Sequence, residues 1–201
     1  MAPTLTGRYY WISGSLETQP EKAIKLEKNA LAQIENITAD NARLVSNLHA
    51  NLGGLYRMNG HPDLAREHME KSISLLDQFN LLHINDSIPQ IANYAMFLTE
   101  QQEPERGISE LQKLSGIIKE YHSDDCLDYA KVQETLGTIY LMTANLPQAK
   151  THFKRAFKIY EKIWADEPEM IEAKYQEIQE LYPQVGFFLG QQISSFLTKQ
   201  A

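Results

Sequence analysis

Amide and hydroxyl side chains recur along the sequence at a fixed interval, and hydrogen bonding is the chemistry that they offer. Asn51, Asn93 and Thr135 are separated by steps of 42 residues each. A carboxamide carries both a donor and an acceptor, so it matches the N–H and C=O groups of an exposed peptide unit. The same groups are equally suited to bonding with neighbouring helices of their own fold. The constant interval predicts that the three residues occupy equivalent positions of a repeat.

Patterns typical of catalytic or metal-binding sites are missing around this column. The sequence has no glycine-rich phosphate loop, no Gly-x-Ser-x-Gly turn and no His-Glu-x-x-His helix motif. Its six histidines are scattered, and His61 and His68 lack the companion ligands that a metal site needs. Cys126 has no evident base and is expected to be an inert thiol. The sequence therefore predicts a protein that is not an enzyme and that needs no cofactor or metal.

Small and large apolar residues repeat at the same interval and define the elements that must position these polar groups. Residues 52–72 predict the end of one helix, a tight turn at Gly60 and Pro62, and a second helix packed back on the first. The equivalent positions along the chain are Ala23, Ala65, Gly107 and Ala149; Tyr56, Leu98 and Tyr140; and Met69, Leu111 and Phe153. These coincident columns predict stacked helical hairpins, each of which buries its apolar face on its neighbours.

The order Leu-Gly at 52–53, Tyr56, Gly60 and Ala65 resembles the tetratricopeptide (TPR) helix-turn-helix repeat. A 42-residue unit is about eight residues longer than the common version, which amounts to about one extra turn in each helix. This longer unit, and the end of its second helix at 156–162, is similar to the repeats of kinesin light chains. The resemblance implies an all-α, TPR-like right-handed superhelix of antiparallel helix hairpins, with about four hairpins plus C-terminal capping helices.

The repeat predicts a single helical solenoid over residues 1–201. Its hairpins are expected at about 5–37, 42–79, 87–121 and 125–164, with C-terminal helices at about 168–198. The first helix of the opening hairpin, at 5–17, fits its columns poorly because Trp11 falls where a small residue is wanted. A shifted register, a capping role and a start inside a longer array all remain open for this helix.

The first helices of successive hairpins line a concave groove in TPR proteins, and that groove usually holds an extended peptide or a partner helix. Asparagines in the column of Asn51 and Asn93 pair with the backbone of a bound peptide in repeats of the kinesin-light-chain kind, and the resemblance implies that role here. The residues that it assigns to the groove are Asn47, Asn51, Arg57, Asn93, Met96, Lys131, Glu134 and Thr138.

The charges in this groove give only a weak indication of the ligand. Arg8, Arg57 and Lys131 would favour an acidic ligand, although a single basic residue more often has a solvated surface role. Chaperone-binding TPRs hold a terminal carboxylate with a clamp of five residues. Only Asn93 and Lys131 match that clamp, so binding of chaperone tails is not expected.

The sequence thus predicts a non-enzymatic protein- or peptide-binding scaffold, and two alternatives stay open. The first is the peptide-sensing half of a regulator whose output domain is elsewhere. The second is a structural solenoid that self-associates through its ends. For the second, Phe187, Phe188 and Phe196 of the last helix either pack on the preceding hairpin or form an end interface, which would make a homodimer.

Composition and charge exclude some classes of partner. The 201 residues are 43% hydrophobic and 22% charged, as expected of a folded chain in water. The formal net charge of −7 argues against general nucleic-acid binding, which needs a basic surface. No apolar run approaches the ~18 residues of a membrane-spanning helix, and the N-terminal residues do not resemble a signal peptide. With a single cysteine, these features favour a cytoplasmic protein that binds neither membranes nor nucleic acids.

Overall fold

The computed structural model describes residues 20–183 and 185–200, without the side chains of 187, 188, 196, 197, 199 and 200. Every regular element among these residues is an α-helix, which confirms the predicted all-α class. The helices are α1 (Pro20–Ala32), α2 (Ala42–Met58), α3 (Pro62–Gln78), α4 (Ser87–Glu100), α5 (Pro104–Tyr121), α6 (Leu127–Met142), α7 (Leu146–Ile163), α8 (Pro168–Leu181) and α9 (Val185–Gln200). The helix expected at 5–17 lies outside the described residues. Within them, no helix combines the length and apolarity that crossing a membrane requires.

The turns inside the hairpins repeat one backbone geometry. A residue with positive φ ends the first helix of three successive hairpins: Gly60 (φ 73°), Gln102 (φ 65°) and Ala144 (φ 57°). After each one, the next N–H bonds back five residues, as His61 does to the Tyr56 carbonyl at 2.9 Å. These left-handed residues are again 42 apart. The same turn therefore forms in the two copies that have Gln102 or Ala144 instead of glycine. In those copies the residue with positive φ carries backbone strain, because its Cβ disfavours that conformation.

The chain divides into two compact units, with the boundary between Glu110 and Leu111, inside α5. In the first unit, α2 and α3 pack as an antiparallel hairpin, with α1 and α4 against them. The buried cluster at their contact consists of Leu52, Tyr56, Ala65, Met69, Tyr94, Phe97 and Leu98. All of these except Phe97 belong to columns that the repeat predicts to face inward.

Small residues allow the helices of a hairpin to approach closely. A Cβ atom placed on Gly107 of α5 would lie 2.6 Å from the carbonyl oxygen of Ala95 on α4. Ala65 and Ala149, at the equivalent positions of α3 and α7, are fully buried. The column of small residues is therefore explained by backbone proximity.

In the second unit, α6 and α7 form the hairpin, and α8 and α9 pack onto α7. Its largest buried side chains are Tyr129, Phe153, Phe157 and Tyr160. The C-terminal helices contribute Ile171, Ile178, Val185, Leu189 and Ile193 to the interior. These two helices thus share the core of the unit.

Candidate functional site

The residues predicted to form the groove are distributed over both units. Asn47, Asn51 and Arg57 lie on α2 and Asn93 and Met96 on α4, all in the first unit. The other three, on α6 in the second unit, are Lys131, Glu134 and Thr138.

Both the oxygen and the nitrogen of the Asn47 carboxamide are hydrogen-bonded inside the first unit. Its Oδ1 accepts a hydrogen bond from Gln90 Nε2 at 2.6 Å, and its Nδ2 donates to Asp86 Oδ2 at 3.1 Å. Asp86 also accepts from Arg43, at 2.6 Å from Nε and 3.0 Å from Nη2. The hydrogen bonds from Arg43 hold the pKa of the Asp86 carboxyl below its ordinary value. Asn47 thereby ties α2 to the beginning of α4.

Gln90 extends this network into the interior. It is 8% exposed, and its Oε1 accepts hydrogen bonds from Ser46 Oγ at 2.8 Å and from Ser72 Oγ. The network therefore joins α2, α3 and α4 through buried groups that are all hydrogen-bonded, as buried polar groups in folded proteins are. The sequence did not predict this network. A signal was present in the sequence, because both serines occupy columns that are otherwise small or apolar. Two repeats later, Ala130 stands at the position of Ser46 and Ala156 at the position of Ser72.

Asn51 and Arg57 also have partners in the fold. Asn51 Nδ2 donates to Glu27 Oε1 on α1 at 2.9 Å. Arg57 donates through Nε to Glu100 Oε2 at 2.8 Å and through Nη2 to the other carboxylate oxygen. Only 10% of the Arg57 side chain is exposed. The amide nitrogen of Asn51 therefore bonds to a neighbouring helix, which is the alternative role that the sequence left open.

Asn93 differs from the other asparagines of this face. Its half-buried side chain makes no hydrogen bond to any residue that the structure describes. It stands at the edge of a small recess of about 10 Å³, which is lined by Ala50, Met69, Ser72, Gln90 and Asn93. Met96 lies one turn further along α4 and is also half-buried. Asn93 is thus the groove asparagine whose donor and acceptor are both available among the described residues.

Two of the three groove candidates in the second unit are buried. Glu134 is 5% exposed, accepts a hydrogen bond from Tyr160 Oη at 2.6 Å and pairs with Lys174 Nζ of α8 at 2.9 Å. Thr138 is also 5% exposed. Lys131 remains accessible, with 46% of its side chain exposed beside Asp128 at 3.6 Å. The burial of Glu134 and Thr138 leaves them little surface for a ligand.

The buried ion pair between Glu134 and Lys174 accompanies shifted pKa values in this unit. Burial lowers the pKa of the Lys174 ammonium, but the charges of Glu134 and Glu177 more than offset that effect and raise its pKa overall. Burial, helped by the charge of Glu134, raises the pKa of Tyr182 to about 12. The charged form of Lys174 is therefore favoured, and Glu134 is the buried partner that compensates for its lost hydration.

Two histidines meet in the hairpin of α2 and α3, a contact that the sequence did not predict. His49 Nδ1 and His68 Nδ1 are 2.8 Å apart, and the His68 ring stacks on Tyr56. The second unit has the same arrangement with glutamine in place of the first histidine: Gln133 Oε1 lies 2.9 Å from His152 Nδ1, and that ring stacks on Tyr140. Burial, followed by the nearby His68, lowers the pKa of His49 to about 4.

The remaining predicted sites lie outside what the structure describes. The side chains of Phe187, Phe188 and Phe196 on α9 are not among the described residues, nor is Arg8. The described part of the chain contains no group of three or more His, Cys, Asp or Glu residues that would hold a metal ion.

Comparisons with known proteins bear on the fold and the family. The family model of the tetratricopeptide repeat matches residues 87–162. The crystal structure of BtubC (BKLC) from P. vanneervenii is similar, with a TM-score of 0.68 and 19% identity over 90% of this chain and 71% of that chain. No curated protein matches the sequence. At this identity the likeness to BtubC concerns the fold, and the predicted TPR-like class is confirmed. Residues 87–162 are therefore similar to the tetratricopeptide repeat family, whose members generally mediate protein–protein interactions, and the chain has a TPR-like helical fold.

Proposed function

We propose that this protein is a non-enzymatic scaffold that binds a peptide segment of a partner along α2 and α4. The repeat family and the fold support protein interaction as the general role. The observation that carries the finer proposal is Asn93, whose side chain is half-buried, faces a recess and is unpaired among the described residues. A carboxamide in that state supplies the donor and the acceptor that one peptide unit needs.

The helices around Asn93 are held in place before any ligand arrives. Gln90 lies one turn before Asn93 on α4 and is bonded to Asn47 on α2 and to Ser72 on α3. Fixing three helices through one buried network lowers the ordering cost of binding, because the site does not have to assemble around its ligand. Asn47 and Gln90 therefore support the site, and Asn93 is the residue proposed to touch the peptide.

The second unit offers a ligand fewer accessible candidate residues, because Glu134 and Thr138 are buried. Lys131 is accessible there and, within its own unit, offers a positive charge to an acidic peptide. Glu134 forms an internal ion pair with Lys174. The proposal therefore concentrates on α2 and α4.

The test uses a random linear peptide display library, selected against the full chain. Peptides enriched in the selection are then titrated against the wild-type protein and against Asn93→Ala. The loss of one or two peptide hydrogen bonds predicts binding about threefold to tenfold weaker in the variant. Asn29→Ala is the matched control, because Asn29 is an exposed asparagine within α1 and gains the same helix propensity.

Two outcomes would overturn the proposal. One is a selection that enriches no peptide. The other is a set of peptides that bind Asn93→Ala and Asn29→Ala with the affinity of the wild type. Circular dichroism of both variants establishes that the helical content is unchanged, so that a loss of binding is assigned to the contact.

A further inference from the structure

We propose that the recess beside Asn93 selects a small residue, glycine, alanine or serine, at one position of the bound peptide. This inference rests on the proposed function and adds the specificity of the site. It follows from the size of the recess, the rigidity of its walls and the absence of charge in its lining.

The size of the recess sets the first limit. Its volume of about 10 Å³ is close to that of a single water-sized sphere. Met69 (4% exposed), Ser72 (1%) and Gln90 (8%) form its buried base, and the half-buried Ala50 and Asn93 stand at its mouth. A methyl or hydroxymethyl group reaches such a space, whereas a leucine or a ring would have to displace the walls.

The walls are fixed, so the recess cannot widen at little cost. A Cβ on Gly53 would lie 2.6 Å from Met69 Cγ, which shows that Met69 is seated directly on the α2 backbone. Ser72 and Gln90 are held by their mutual hydrogen bond and by the bond from Ser46 to Gln90 Oε1. Close-packed interiors resist added volume, and forcing it in displaces side chains and backbone.

The chemistry of the lining sets the second limit. None of the five lining residues is ionisable, so a charged ligand group would lose its hydration there without a partner. The hydroxyl of Ser72 already donates to Gln90 Oε1. The carboxamide of Asn93 is then the group at the mouth that bonds the peptide main chain, next to the residue whose side chain enters the recess.

This lining is particular to one copy of the repeat. At the positions 42 residues after Ser72 and Gln90, the sequence has Leu114 and Val132. Both serine and glutamine are replaced there by apolar residues, so the polar recess does not recur in the next copy. The selection for a small residue should therefore apply at a single position of the ligand.

The experiment is a leucine scan of the peptides selected from the random library. We expect one position, occupied by glycine, alanine or serine in the selected sequences, where leucine weakens binding at least tenfold. Ala50→Leu should fill the mouth of the recess and weaken all of these peptides to a similar degree. Ala30→Leu, at an exposed alanine of α1, is the matched control and should bind normally.

The results separate this inference from the proposed function. Peptides that depend on Asn93 but tolerate leucine everywhere, and that still bind Ala50→Leu, would overturn the size selection and leave peptide binding intact. A selection without binders, or binding independent of Asn93, would overturn both. A second variant tests the fit directly: Met69→Ala, if it remains folded by circular dichroism, should recover binding of the leucine peptide relative to the parent peptide.

Discussion

Gln90 Nε2 donates a hydrogen bond to Asn47 Oδ1 at 2.6 Å, and this amide–amide contact joins α4 to α2 across 43 residues of sequence. The same Gln90 accepts hydrogen bonds from two serines of α2 and α3. One side chain therefore fixes three helices, and it does so in the layer directly beneath the proposed peptide contact. The stability of the first unit and the integrity of the recess depend on the same group.

Replacing Gln90 alone should destabilise the protein. Gln90→Leu leaves buried hydroxyl and amide groups without their partner, which costs about 1–3 kcal/mol of unfolding free energy. The triple variant Gln90→Leu with Ser46→Ala and Ser72→Ala removes both sides of the serine contacts and should be closer to wild type than Gln90→Leu alone. Urea denaturation followed by circular dichroism measures both, and a triple variant less stable than the single one would contradict the interpretation.

The contact between His49 and His68 should make the protein sensitive to mild acid. Two Nδ1 atoms 2.8 Å apart need one donor and one acceptor, so the two rings cannot both carry a proton on Nδ1 while they are in contact. Burial is the largest cause that lowers the pKa of both rings. For His49 the nearby His68 and Lys71 lower the pKa further; for His68, Glu67 opposes the shift and Lys28 adds to it.

The direction of this pH dependence follows from the pKa of His49 in the folded protein, which lies at about 4, below its ordinary value of 6.5. The unfolded chain binds the proton first, so the contribution to stability is complete above about pH 6.5 and is lost as the pH falls towards about 4. Since the ring is partly exposed, we expect a loss on the order of 1 kcal/mol between about pH 7 and about pH 5.

The chain itself offers the control for this prediction. His49→Gln copies the arrangement in which Gln133 meets His152, and it retains an acceptor for the His68 ring. The variant should lose less unfolding free energy than the wild type between the two pH values, because one titrating group is gone. An identical loss in both proteins would show that other groups cause the acid sensitivity.

Two glycines of α5 should respond in opposite directions to alanine. At Gly107 the new Cβ would lie 2.6 Å from the Ala95 carbonyl oxygen, a backbone atom that cannot turn aside. Gly107→Ala should therefore cost about 1–3 kcal/mol of stability. At Gly116 the Cβ meets nothing within 4 Å, so Gly116→Ala should stabilise the helix by up to about 1 kcal/mol. Thermal unfolding of the pair measures the contrast, and a stabilised Gly107→Ala would refute the close approach.

The buried ion pair of the second unit should show rescue by a second substitution. Lys174→Met leaves the carboxylate of Glu134 buried and uncompensated, which should destabilise the protein by about 3 kcal/mol. Adding Glu134→Gln removes that charge and keeps an oxygen to accept the hydrogen bond from Tyr160. The double variant should therefore be more stable than Lys174→Met in urea denaturation. If the second substitution lowered stability further, Glu134 would have a different role from the one the contacts describe.

The sequence by itself determined the helical hairpins and their positions. Helix starts, turn prolines and apolar periodicity are local signals, and a repeat presents each of them several times, which is why α2 to α7 begin and end close to the expected residues. The columns of small residues also followed from the repeat, since their cause, close packing of two helices of one hairpin, is the same in every copy.

Tertiary structure decided which of the predicted groove residues remain available to a ligand. Asn51 and Asn93 occupy the same position of the repeat, yet Asn51 bonds to Glu27 and Asn93 has no partner among the described residues. Glu134 occupies a groove position in sequence and is buried against Lys174, 40 residues away. The repeat specifies where a side chain stands on its helix. Its hydrogen-bond partner comes from a distant helix whose sequence differs between copies, and only the packed structure brings the two together.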